Sequence, residues 1–328
     1  MTVKRERERE REKMKILVTG GTGLVGTAIK TIISGWTTNK DKEFIFLSSS
    51  DLDLRDGEAT LALFQYHQPD VILHLAAVVG GLFKNMREKV RMLEENIMIN
   101  MNVLSVAHAC DVNRVISCLS TCIFPDKTSY PIDETMLHDG PPHISNDAYA
   151  YAKRMLEVQS RAYQEQYGRD YVCVIPTNIY GPADNFHLGD AHVIPALIHK
   201  CFLARNESLP FIVAGSGTPL RQFIYSEDLA TLLVWMLDNY IDQKEPLILS
   251  VDPNDEVSIL YIAHLIAAEF QYENRLVMDT SLPDGQYKKT ASNARLRSFM
   301  PSFVFTPIEE GIKKTVTWFL AHYPTCRK

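Results

Sequence analysis

The chain has 328 residues, 46% of them hydrophobic, with a net charge of −6 and a pI near 5.9. That length can bury one large core with a smaller lobe beside it, and the acidic balance supplies no field to gather nucleic acid or anionic lipid. No apolar run reaches the roughly 18 residues a membrane helix needs, and no apolar stretch follows the N-terminal charges as it would in a leader, so a cytoplasmic protein is expected.

The opening "MTVKREREREREKMK" alternates charges and has nothing apolar to bury, so residues 1–14 are read as a disordered, solvated tail and the fold is expected to start near Lys15. From there short apolar runs ("KILVT", "FIFLSS", "VILHLAA", "RVISCLS", "YVCVIP", "PLILSV") alternate with helical segments, about 88–110 and 149–167 being the longest. This pattern predicts an α/β fold, a Rossmann-type doubly wound parallel sheet. After Tyr180 the pattern loosens, as for a smaller C-terminal substrate-binding lobe. The expected division is a dinucleotide-binding domain over 15–180 plus about 218–255, and a lobe over about 181–217 and 256–328. Six scattered cysteines, without C-x-x-C or histidine spacing, argue against a metal site and against a disulfide framework.

Gly20, Gly21, Thr22, Gly23, Leu24, Val25 and Gly26 follow the first strand directly and open a helix, where backbone N–H groups unobstructed by Cβ atoms can take a pyrophosphate. The second strand ends in Ser48, Ser49 and Ser50, with no acid for a ribose 2′-hydroxyl, which favours NADP over NAD. His74 reads as a core histidine. If the fourth strand runs on through "CLSTC", Ser120 and Cys122 point to one face. Tyr149 and Lys153 are four apart on a predicted helix and share a face. A ketone accepting hydride needs a proton on its oxygen; Tyr149 would give it, the Lys153 ammonium would stabilise the phenolate left behind, and Ser120 would hydrogen-bond the same oxygen.

The G-x-x-G-x-x-G spacing, with Ser120 and the Tyr/Lys pair in that order, resembles the extended short-chain dehydrogenase/reductase family. That resemblance implies that Asp53 and Leu54 of "DLRD" lie on the adenine side, that Ala76 and Ala77 of "HLAA" flank the pyrophosphate, and that Pro176, Asn178, Ile179 and His192 also border the cofactor. More narrowly, "STCIFP", "YAYAK", "PTNIYGPADNF", "HVIPAL", "GSGTPLRQFIYSEDLA" and "PDGQYKKT" together resemble the GDP-L-fucose synthase family, from about Lys15 to the C-terminus. Members are epimerase-reductases acting on GDP-4-keto-6-deoxy-D-mannose. The resemblance implies an acid/base pair of Cys122 and His192 for inversion at C3 and C5, and GDP-sugar contacts from Asn178, Lys200, Arg221, Asp284 and Lys289. It also implies a homodimer across the two long helices. This chain departs from the family in having Ala214, where a tryptophan commonly precedes "GSGTP". Two other readings stand beside it: a nucleotide-sugar epimerase or dehydratase with no net reduction, and a non-catalytic NADP-binding regulator.

Overall fold

The computed structural model describes residues 13–35, 41–282, 284 and 286–328; the expected N-terminal tail lies outside them up to residue 12, and Met14 already belongs to the first strand. In chain order the first half holds β1 (Met14–Thr19), α1 (Leu24–Ser34), β2 (Lys42–Phe46), α2 (Gly57–His67), β3 (Val71–His74), α3 (Leu82–Arg87), α4 (Lys89–Ala109), β4 (Arg114–Cys118) and α5 (Asp147–Tyr167). The second half holds β5 (Asp170–Pro176), β6 (Asn178–Tyr180), α6 (Val193–Asn206), β7 (Phe211–Ala214), β8 (Leu220–Arg221), β9 (Phe223–Tyr225), α7 (Ser226–Asn239), β10 (Leu247–Leu249), β11 (Val257–Ser258), α8 (Ile259–Glu269), β12 (Leu276–Asp279), α9 (Ala294–Phe299) and α10 (Ile308–His322).

Six strands form the central sheet in the order β10-β5-β4-β3-β1-β2, every pairing parallel. Parallel neighbours require crossovers, and the helices supplying them cover both faces; the sheet strands are accordingly apolar runs such as Ile16–Val18 and Val172–Ile175, fully or almost fully buried. One face packs on α4 and α5 through Val103, Leu104, Ala150 and Leu156. The other packs on α1 and α7 through Ala28, Ile29, Leu229 and Leu233. The chain leaves β1 toward β2 and returns to its other side at β3, so the order reverses there. A crevice opens beyond the strand C-termini at such a reversal.

A third core, built from Ile194, Ile198, Phe211, Ile262, Ile266, Ile312 and Phe319, gathers α6, α8, α10 and the short β12/β7 ladder into the lobe expected after Tyr180. The segment 294–305 differs from the expected division. Leu296, Met300, Phe303 and Phe305 pack on the central-sheet core, because α9 lies against β10 and its apolar side chains follow it there.

Candidate active site

A cavity of about 580 Å³ runs through the crevice from Leu54 and Arg55 to His192. Its floor is the turn after β1. Gly20 has φ +69°, and a Cβ there would stand 2.9 Å from the Ala76 amide nitrogen, so glycine is what lets the turn lie against the end of β3. Gly23 is the N-cap of α1 and no side chain caps that end, which leaves the positive end of the helix facing the cavity. Gly20, Thr22, Gly23, Leu24, Val25, Gly26, Ser49, Asp53, Leu54, Ala76, Ala77, Pro176, Asn178 and Ile179 all line this space. Gly21 lies behind the wall and donates from its amide to Leu47 C=O at 2.6 Å. Ser50 turns away, its hydroxyl 2.7 Å from Ser48 Oγ. His74 is indeed a core residue; its ring joins Thr19 Oγ1 at 2.9 Å and Asn100 Oδ1 at 3.0 Å, and burial pulls its pKa down to about 3.

At the other end Ser120, Tyr149, Lys153 and His192 share the wall. The period-two argument for Ser120 and Cys122 does not apply. β4 ends at Cys118, and Ser120 caps a single 3₁₀ turn over Thr121–Ile123, accepting from the Cys122 amide at 3.4 Å. Cys122 is 6% exposed and packs into the core just behind that wall, its thiol beside the Ser120 hydroxyl and near the Tyr149 phenol. Burial pushes the Cys122 thiol up, and the nearby Lys289 ammonium draws it back.

Tyr149 and Lys153 stand on one face of α5, the ammonium 5.9 Å from the phenol ring centre and donating to Cys118 C=O at 2.7 Å. Burial is the largest influence on both groups, raising the Tyr149 phenol well above its ordinary value and lowering the lysine. The phenol therefore holds its proton at neutral pH, which suits a donor. His192 is the N-cap of α6 and lines the cavity, where it remains exposed; partial desolvation by the protein around it lowers its pKa.

Of the expected sugar-nucleotide contacts, only Asn178 lines the cavity, its amide donating to Gln222 C=O at 2.8 Å. Arg221 and Lys289 are both lowered chiefly by burial; Arg221 faces Glu256 and Tyr130, and Lys289 stands between Cys122 on one side and Arg221 and Asp126 on the other. Asp284 accepts from the Ser216 amide at 2.8 Å and from its hydroxyl at 2.7 Å, tying its loop to the turn that follows Ala214. Lys200 lies on α6, half-buried and off the cavity wall.

Several wall residues escaped the sequence reading. Arg55 stands inside the "DLRD" run and pairs with Asp53 at 2.7 Å and Glu95 at 3.1 Å; its position beside Asp53 was the available signal. Asp184 is buried, with Oδ2 lacking a partner among the described residues, and burial raises its pKa to about 7. Arg327, near the C-terminus, reaches the wall because its guanidinium donates to Ala183 C=O at 2.7 Å, and no local pattern announces it.

A helix N-terminus over a glycine turn at one end and a hydroxyl, a phenol and an ammonium at the other define a dinucleotide-dependent enzyme acting on a carbonyl. A sequence model described as the NAD dependent epimerase/dehydratase family matches residues 16–251. A GDP-L-fucose synthase of Dictyostelium discoideum is 53% identical, covering 95% of this chain and 97% of its own length. A probable GDP-L-fucose synthase of Drosophila melanogaster is 51% identical, covering 96% of this chain and 99% of its own. Among solved structures, a GDP-L-fucose synthetase from Naegleria fowleri bound to NADP superposes with a TM-score of 0.90 at 48% identity, over 97% of this chain and 96% of that one. The chain belongs to the NAD dependent epimerase/dehydratase family and, within it, to the GDP-L-fucose synthases.

Proposed function

We propose that the chain converts GDP-4-keto-6-deoxy-D-mannose to GDP-L-fucose, inverting C3 and C5 and then reducing C4 with NADPH. The carrying observation is that one cavity joins the uncapped N-terminus of α1 to Ser120, Tyr149, Lys153 and His192. The residues at the first end suit the cofactor: the α1 dipole and first-turn amides would hold the diphosphate, and Asp53, Leu54 and Ser49 would border the adenosine. When bound, NADPH supplies hydride.

The chain's own groups handle protons. Ser120 and Tyr149 hold the C4 oxygen. Hydrogens at C3 and C5 flank that carbonyl, so removal of either sends the C–H electron pair to the held oxygen as an enolate. Cys122 and His192 form the acid/base pair, one taking the proton and the other returning it to the opposite face. Tyr149 then protonates the C4 oxygen as reduction proceeds, with Lys153 stabilising the phenolate. Arg221 and Lys289 meet the diphosphate, with Asn178, Lys200 and Asp284 beside the GDP-sugar. Lys289, near both Cys122 and Arg221, supports placing the sugar by the thiol and the diphosphate by the two cations.

The same reading makes the protein an isomerase as well as an oxidoreductase, cytoplasmic and homodimeric. Among the described residues no helix is long and apolar enough to cross a membrane. Met98, Met101, Tyr151 and Met155 stand exposed on α4 and α5, which supports pairing across those helices and is checked by sedimentation. The decisive assay follows NADPH absorbance with the keto sugar: one NADPH oxidised per sugar is expected, and turnover without net consumption would leave a hydride-returning epimerase instead.

A further inference from the structure

Two distant loops meet over the cavity, one after β3 and one before α6. Val79 and Gly80 line it from the first, and Asp190, Ala191 and His192 from the second. Their junction is held in three ways. The Gly81 amide donates to Asp190 C=O at 2.8 Å, while the Asp190 carboxylate takes Lys84 Nζ at 3.1 Å and Arg87 Nη2 at 3.0 Å. Lys84 and Arg87 are three apart on α3 and so reach from the same face. Burial alone would raise the Asp190 carboxyl, yet the two cations hold it below its ordinary value. The backbones are close enough that a Cβ on Gly81 would lie 2.3 Å from Ala191 C=O, where only glycine fits.

His192 follows two residues later. Its ring makes no hydrogen bond among the described residues, so the reach of the imidazole depends on how the backbone of this segment and the start of α6 are held. We infer that Asp190 is a positioning residue for His192: by locking the segment before α6 onto α3, it holds the imidazole over the cavity and keeps that wall closed. This rests on His192 being a proton-transfer group, as proposed above. In each inversion the proton taken from carbon and the proton returned to its opposite face balance, the electron pair passing to the enolate oxygen and back. What Asp190 governs is the reach of one partner, not the chemistry.

Asp190→Asn keeps the shape and removes both ion pairs. Solvent deuterium should then enter C3 and C5 about tenfold to a hundredfold more slowly, the cost of a small displacement of a reacting group. NADPH release, read by stopped-flow fluorescence, should speed up about fivefold to tenfold, as expected for two partly exposed ion pairs. Asp190→Glu should restore both, and Gly81→Ala should reproduce both defects without touching a charge. A merely structural role would lower the melting temperature and leave exchange and release at parental values; that result in Asp190→Asn and Gly81→Ala overturns the inference. So does equal loss in Asp190→Glu and Asp190→Asn, since charge would then not be the lock. Full exchange in His192→Asn is a different failure, of the assignment beneath this one.

Discussion

At the dinucleotide end the wall is made of first turns after parallel strands, Gly20 and Thr22–Gly26 after β1, Ser48 and Ser49 after β2, Ala76–Gly80 after β3. At the reacting end Ser120 and Thr121 follow β4, but Tyr149 comes from α5, His192 from the cap of α6, and Arg327 from the C-terminus. Behind it, Lys289 links Cys122 to Arg221, three residues from three separate segments. The first end depends on local backbone shape and sheet order. The second depends on the smaller lobe docking correctly, so the two should fail differently when perturbed.

The sharpest separation comes from Tyr149→Phe. Loss of the proton donor should cut reduction about a thousandfold, within the range of general acid catalysis, while NADPH titration shows unchanged affinity. Cys122→Ala and His192→Asn should each suppress deuterium entry at C3 and C5 by about a hundredfold or more, the first leaving cofactor binding in place. Full exchange in Cys122→Ala would remove the thiol from the mechanism. Arg221→Ala should raise the KM for the GDP-sugar about tenfold to a hundredfold with a smaller change in kcat, by removing a charge-assisted contact to the diphosphate. Gly20→Ala attacks the other end. It should cost about 1–3 kcal/mol in stability at a left-handed backbone position and weaken NADPH, read by calorimetry, without altering the exchange-to-reduction ratio at saturation.

The smallest effect concerns Asp184. Its folded pKa of about 7 lies above the ordinary carboxyl value, so the native state binds the proton more tightly than the unfolded chain. The stability it contributes is complete below the unfolded value near 3.8 and is lost as pH rises toward and through 7. Asp184→Asn should flatten the melting-temperature profile over that window and raise it at pH 8. A profile identical to the parent's would show that the carboxyl is solvated.

Local pattern carried the sheet and both long helices, because apolar runs of strand length and segments of helical period report burial directly. It carried the glycine turn for the same reason: which residues can follow a strand into a helix with their amides free is a property of the backbone. Tyr149 and Lys153 were legible from their spacing on α5. The sequence could not place Cys122 relative to Ser120, since the end of β4 at Cys118 and the 3₁₀ turn after it change the direction of every later side chain. Nor could it show that Lys289 stands by Cys122, that 294–305 returns to the first core, or that Asp190 meets Lys84 and Arg87. Those contacts join residues far apart in the chain, where burial and electrostatics act only once the lobes have packed. The amino-acid order by itself determined the cofactor fold and the Tyr/Lys pair; tertiary packing alone decided which charges face the reacting groups.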